Sequence, residues 1–400
     1  MLDAVRPVPT DPILGLITAY RNDPNPDKVD LGAGVYRDAA GRTPILAAVR
    51  DAEQHLTASE QTKAYVAPPG DPAFITGLTH LLFGADHPTV ADGRIATVQT
   101  PGGCGALRLG AALVERLRPG VAAWISAPTW PIHEPLLGDA GLKLASYPYY
   151  DHGTRTVNAE AMLATLATLG ADDLVVLHGC CHNPSGADLT HAQWDTLADL
   201  ALERGFTPFV DIAYHGLADG LDDDAYGVRT LAARLPQMLV AYSCSKNFGL
   251  YRERAGLVCV VTPSADTAAA ARSHLNAIAR GIYSMPPAHG AAIVGHILAD
   301  DALVAAWRDE LAGMRERLVG MRARFAEDMA ARGADFGFVA EQRGLFSFLG
   351  ITPAHVDRLR HEFSVYLLRS GRINVAGITD DNIFYLADAL TRVLDETGPS

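Results

Sequence analysis

The chain has 400 residues, 48% of them hydrophobic and 20% charged, a composition that excludes disordered and collagen-like proteins. Its 33 basic and 46 acidic residues give a formal charge of −13, which argues against nucleic-acid and anionic-membrane partners. It carries no apolar run of the roughly 18 residues a membrane helix needs and no apolar signal core near Met1, so a cytoplasmic protein is expected.

Length predicts two or three domains. Residues 1–12 are rich in Pro and Asp and read as an extended arm. A short helix is predicted over 13–22, then a strand and Gly-rich bend over Val29–Tyr36, then a helix over 44–59. From about 94 to 262, short apolar runs alternate with helical stretches. The runs are Ile95–Val98, Ala122–Ile125, Leu174–Leu177, Pro208–Val210, Leu239–Tyr242 and Gly256–Val261; the helices include 104–117, 189–204 and 227–235. Such alternation predicts an α/β fold with a mostly parallel, doubly wound sheet, in which ligands gather at the carboxyl ends of the strands. Residues 301–332 repeat apolar side chains at spacings of three and four, from Leu303 through Trp307 and Leu311 to Met329. This predicts a long helix connecting two domains, with a dimeric coiled coil as the competing reading. Short strands over 344–349 and 382–386, with helices 353–363 and 380–394, complete a second, smaller domain. The five cysteines are odd in number and form no Cys-x-x-Cys pair, as expected in a reducing compartment.

Four strand ends carry unusual residues. Thr100-Pro101-Gly102-Gly103-Cys104-Gly105 is a glycine-rich loop opening a helix, whose N–H groups suit a phosphate. A dinucleotide site would want an acidic residue about 20 positions on, but the next strand ends at Ser126-Ala127-Pro128. His178-Gly179-Cys180-Cys181-His182-Asn183-Pro184 superficially resembles a zinc site, but adjacent side chains of an extended run point apart and no second cluster completes a tetrahedron. Asn183 is left as a candidate hydrogen-bonding residue. Asp211, in Asp211-Ile212-Ala213-Tyr214, follows an apolar strand and needs a partner, either an arginine or a cationic ligand atom. Lys246 is one of only four lysines and lies between an apolar strand and an aromatic turn. A desolvated lysine near other cations becomes a nucleophilic amine, whereas on a surface it would be inert. With Arg254 eight residues on, these groups supply a phosphate grip, a carboxylate for a pyridinium nitrogen, a phenol and an amine, the set that pyridoxal phosphate requires.

Ser243-Cys244-Ser245-Lys246-Asn247-Phe248-Gly249-Leu250-Tyr251, Glu253-Arg254, the Asp211 and His178 strings, and Ser284 with Pro286-Pro287-Ala288-His289-Gly290 carry a further signal. On these the sequence resembles the class I aspartate/aromatic aminotransferases, fold type I pyridoxal-phosphate enzymes, over essentially its whole length. The resemblance implies a large cofactor domain over 44–308, a small domain from 13–43 and 309–400, and an N-terminal arm over 1–12. It implies that Lys246 forms the Schiff base and moves the substrate proton, and that Asp211 pairs with the ring nitrogen with His133 behind it. Tyr214 and Asn183 would bond the phenolic oxygen, and Trp130 would stack on the ring. Gly103, Cys104, Ser243 and Arg254 would hold the phosphate, joined by Tyr65 from a neighbouring subunit, which makes the protein a homodimer with shared sites. Arg372, aided by Asn183 and the Gly34 backbone, would clamp the α-carboxylate. Arg280 from the partner would clamp a side-chain carboxylate. The same resemblance removes the zinc reading, since the family carries that string without metal.

The sequence departs from the family at Cys104, where Ser or Thr is usual, and at Ala64, Met285 and near Ile132, where aspartate-selective members carry Asn. The more apolar pocket, with Leu345-Phe346-Ser347-Phe348 and Phe83-Gly84-Ala85-Asp86-His87-Pro88, matches the aromatic-accepting branch. The expected activity is transamination between aspartate, glutamate or aromatic amino acids and 2-oxo acids such as 2-oxoglutarate. Another pyridoxal-phosphate reaction or a pathway-specific aminotransferase is the alternative, and a non-catalytic cofactor-binding protein is the remote one.

Overall fold

Seven strands form the central sheet of the computed structural model, which describes residues 2, 5–7 and 12–395. They are β1 (Ile95–Pro101), β2 (Ala122–Ala127), β3 (Lys143–Pro148), β4 (Asp173–His178), β5 (Thr207–Ile212), β6 (Met238–Ser243) and β7 (Ala255–Val261). Their spatial order is β1-β7-β6-β5-β4-β2-β3, and only β7 runs against the rest. Side chains alternate between two cores, as a period of two requires. Val175, Leu177, Val210, Ile212 and Val240 enter one, with Trp194 and Leu197 from the helix His191–Arg204. Leu174, Val176, Phe209 and Leu239 enter the other, with Leu107 and Leu109 from the helix Gly102–Leu117. Helices thus cover both faces, as the alternating pattern predicted. The edge strand β3 is largely exposed, and its sequence KLASYP shows no apolar run to announce it.

Parallel pairing brings the carboxyl ends of β1, β2, β4, β5 and β6 to one edge of the sheet. Because β7 is antiparallel, its first residue, Ala255, faces Pro101, and the preceding Arg254 arrives at the same edge.

A third core joins Val29 and Leu31 to Phe325, Met329, Leu359, Ile373 and Leu390. The helix Asp301–Ala331 links it to the sheet: Trp307, Leu311, Met314 and Leu318 pack in the first core, and Phe325 and Met329 in the third. The side chains a coiled coil would pair between subunits are therefore used within the chain. The strand expected over 382–386 is instead the start of a helix, Ile383–Asp395. Ile383, Leu386, Ala387, Leu390 and Val393 are spaced by three and four and share its buried face, so the helical period prevails over a short apolar run. Two short strands, Phe346–Phe348 and Arg372–Asn374, pair antiparallel and set Phe348 opposite Arg372. The expected arm over 1–12 falls mostly outside the described residues.

Candidate active site

At the carboxyl edge lies a cavity of about 220 Å³ lined by residues from every strand end singled out in the sequence. Gly103, Cys104, Trp130, Asn183, Asp211, Tyr214, Ser243, Lys246 and Arg254 all face it, joined by Gly34 and Arg372 from beyond the sheet.

One end is built for an anion. The helix Gly102–Leu117 starts here, and its N-terminal N–H groups carry partial positive charge. Gly102 has φ +68, a conformation that favours glycine, and a Cβ there would lie 2.6 Å from Nη2 of Arg254 and push the guanidinium off the turn. Arg254 Nη1 donates to Ser245 Oγ at 3.2 Å, and Ser243 Oγ lies 3.1 Å from Ser245 Oγ. Two hydroxyls, one guanidinium and a helix start therefore converge.

Asp211 lies on the cavity floor, 8% exposed. Its Oδ2 accepts from His133 Nε2 at 2.9 Å. In that tautomer His133 Nδ1 accepts from the Thr129 hydroxyl at 2.7 Å, and Thr129 Oγ1 lies 3.2 Å from His178 Nε2. Burial raises the Asp211 pKa, but the His133 hydrogen bond and the electrostatic pull of the neighbouring imidazoles and of Lys246 outweigh it and hold the carboxyl below its ordinary value. Its partner within the chain is thus a histidine, not the arginine that was one of the two sequence expectations, and the carboxylate stays ionised. Burial, with His182 and His133 nearby, keeps His178 neutral by lowering its pKa well below the usual value. The rest of the His/Cys string is spent locally: His182 bonds Ser126 and Ser185 and stacks on Tyr149 at 4.0 Å.

Lys246 Nζ lies 4.8 Å from the Tyr214 ring centroid. Desolvation lowers its pKa against the opposing pull of Asp211, with Arg254 adding to the depression. Burial raises the Tyr214 pKa, so the phenol keeps its proton. Amine, phenol and carboxylate therefore share one dry floor.

Arg372 is 3% exposed. Its Nη2 donates to the Gly32 carbonyl at 3.0 Å and Nη1 to Asn183 Oδ1 at 3.4 Å, while its plane lies 4.3 Å over the Phe346 ring. Nε is buried without a partner, and no ion pair to Arg372 is present among the described residues. A buried guanidinium that lines a cavity and has no ion-pair partner suits a carboxylate ligand.

Two expected residues are not in this cavity. Tyr65 is 92% exposed, and Arg280 is exposed with its guanidinium on Ser284 Oγ. His133 sits behind Asp211 rather than on the cavity wall. Residues the sequence reading did not assign also line the site: Ile13 from the helix Pro12–Asn22, Ser245, His178 and Phe346. Ser245 was legible, since it falls in the same string as Lys246. Ile13 lies over two hundred positions from that string in an unremarkable helix and had no local signal.

The chain belongs to the family of aminotransferases of class I and II, which its residues 26–390 match. It is 48% identical to an aromatic-amino-acid aminotransferase of Pseudomonas aeruginosa, over 96% of this chain and 97% of that protein. It is 45% identical to an aspartate aminotransferase of Escherichia coli, over 98% of this chain and all of that protein. Among solved structures it resembles the aromatic-amino-acid aminotransferase from Burkholderia pseudomallei covalently bound to pyridoxal phosphate. The TM-score is 0.97 at 43% identity, covering 98% and 99% of the two chains.

Proposed function

We propose that this protein is an aminotransferase that uses pyridoxal phosphate to exchange amino groups between amino acids, aspartate, glutamate and the aromatic ones, and 2-oxo acids such as 2-oxoglutarate. The observation that carries the reading is the single cavity in which a desolvated Lys246, an ionised Asp211 and an unsatisfied Arg372 meet an anion cradle. The residues fit the cofactor by charge and position: the cradle suits its phosphate, Asp211 its ring nitrogen and Lys246 its aldehyde. Relatives named for aspartate and for aromatic donors support both substrate classes and do not favour another reaction type.

When bound, the cofactor supplies the electron sink that makes a substrate Cα proton removable. Gly103, Cys104, Ser243 and Arg254 would hold its phosphate end. Asp211, kept ionised and oriented by His133, would retain the proton on the ring nitrogen, and Trp130 would cover the ring. Tyr214 and Asn183 would hydrogen-bond its phenolic oxygen. Arg372, with Asn183 and the Gly34 backbone, fixes the substrate α-carboxylate and so orients the Cα–H bond. Lys246, whose lowered pKa leaves a larger neutral fraction than an ordinary lysine, takes and returns that proton.

Tyr65 and Arg280 complete the site from a second copy of the chain in this reading, as phosphate contact and side-chain carboxylate clamp. Their exposure supports it. A division into a large domain, 44–308, and a small one, 13–43 with 309–400, is supported by the separate core around Leu31, Phe325 and Ile373. Among the described residues no single helix is long and apolar enough to cross a membrane; a cytoplasmic location accords with this and with the free thiols.

Borohydride treatment of the loaded protein should fix the cofactor on the peptide containing Lys246. Label on Lys63, or on no lysine, would overturn the assignment.

A further inference from the structure

Arg322 is a buried cation without a carboxylate. It is 1% exposed and spends its guanidinium on one short loop. Nη2 donates to the carbonyls of Phe346 at 2.6 Å, Gly344 at 2.8 Å and Arg343 at 3.0 Å. Nη1 donates to Ser347 Oγ at 2.7 Å and to the Val339 carbonyl at 3.0 Å. That loop leads directly into the strand Phe346–Phe348, which pairs with the strand carrying Arg372. The Phe346 ring is the platform beneath the Arg372 guanidinium and meets Tyr214 edge-on at 6.0 Å. The far side of the loop is closed as well. Gly344 has φ +72, and a Cβ there would strike Cys181, two residues before Asn183.

The same helix has a second anchor. Trp307 Nε1 donates to the carbonyl of Asn247 at 2.8 Å and its ring stacks on Phe248 at 4.4 Å, immediately beyond Lys246. Fifteen residues separate Trp307 from Arg322, or about 22 Å of helix at 1.5 Å per residue. One continuous helix therefore holds the lysine segment at one point and the platform of the carboxylate clamp at another.

We infer that the helix Asp301–Ala331 is a strut that sets the carboxylate clamp against the lysine floor, with Arg322 as a positioning residue acting on Arg372 through Phe346. The inference rests on the reading of Arg372 as the α-carboxylate clamp. Six hydrogen bonds from a planar fork, five to backbone carbonyls and one to a hydroxyl, fix the height and tilt of the platform, which a single ammonium cannot reproduce. Small errors of position at a reacting group are costly in rate.

The test uses full-length, cofactor-loaded protein with Arg322→Lys, Arg322→Met, Phe346→Leu, the Arg322→Lys/Phe346→Leu double variant, and Arg372→Ala as control. Arg322→Lys and Phe346→Leu should each raise KM for aspartate and phenylalanine alike, by roughly tenfold. They should also weaken binding of succinate, a non-reacting carboxylate measured by calorimetry, by a similar factor. The visible absorption should stay near wild type, because the lysine floor is untouched, and the double variant should cost little more than either single one, because the two act in series. Arg322→Met, which removes the charge as well, should raise KM further if it folds. Unchanged KM and succinate affinity in Arg322→Lys and Phe346→Leu would overturn the inference. So would additive losses in the double variant. Arg372→Ala separates the two readings: if it leaves KM and succinate binding intact, the clamp assignment itself fails.

Discussion

Arg372 and Arg280 are expected to do the same job, gripping a carboxylate, yet the chain treats them oppositely. Arg372 is buried, bonded to Gly32 and Asn183, backed by an aromatic ring and set in the cavity wall with no ion-pair partner among the described residues. Arg280 closes the helix Ala265–Ile282 on the surface and bonds only its neighbour Ser284 among the described residues. A guanidinium held by the fold has already lost its rotamer freedom and its water, so it recognises a ligand with little further ordering. An exposed one has lost neither. On the proposed function, the half of the site that would read what all amino acids share is built into one chain, and the half that would read the side chain awaits a second copy of it.

The sharpest way to break this comparison is to remove each arginine in turn. Arg372→Ala should lower kcat/KM for aspartate and phenylalanine together by about three to four powers of ten, since a buried carboxylate is left unpaired in every substrate. Arg280→Ala should lower it for aspartate and glutamate by roughly two to three powers of ten and leave phenylalanine and tyrosine within a few-fold of wild type. Equal losses for aspartate and phenylalanine in Arg280→Ala would show that Arg280 does not read the side chain. The apolar positions Ala64, Ile132 and Met285 would then have to account for substrate breadth alone.

A smaller effect tests where Arg280 acts. Subunits carrying Lys246→Ala and subunits carrying Arg280→Asp should each be inactive toward aspartate. After subunit exchange, random assortment leaves roughly a quarter of the sites with both wild-type residues if a site draws Lys246 and Arg280 from different chains. Aspartate activity should recover to about that extent. No recovery in verified hybrids would place Arg280 in the site of its own chain.

The smallest effect is a titration. Lys246 is held below its ordinary pKa by desolvation, so folding favours its neutral form. That stabilisation is complete above the unfolded pKa and is lost as pH falls through the folded one. Cofactor-free protein should therefore gain stability, relative to its Lys246→Met variant, as pH rises through the window below the ordinary lysine value. Thermal melts of the two proteins across that window would check it. Parallel curves would mean that Lys246 is not desolvated. Replacing Arg280, which is exposed on the surface, should leave no such signature.

What was legible in the sequence was what local pattern encodes. The strands β1, β2, β4, β5, β6 and β7 show as apolar runs because both of their faces are buried. Lys246, Asp211 and Asn183 were visible because a polar residue just past such a run must end at the carboxyl edge. The long helix was visible from its spacing. Edge strand β3 and the strand carrying Arg372 were silent, one because it is exposed and the other because three residues make no pattern. Arg372 and Arg280 were recognised only through resemblance; composition and spacing would have left both on the surface.

The tertiary structure alone decided which distant residues share the cavity. It brought Ile13 and Phe346 to the site, reversed β7 so that Arg254 meets Gly102, and made His133 the partner of Asp211. It also placed Arg322 and Trp307 of one helix against the segments that carry Phe346 and Lys246. Local propensity fixes where a helix or strand runs. Which side chains then meet is settled by long-range packing between segments up to hundreds of residues apart, and no window along the chain contains that information.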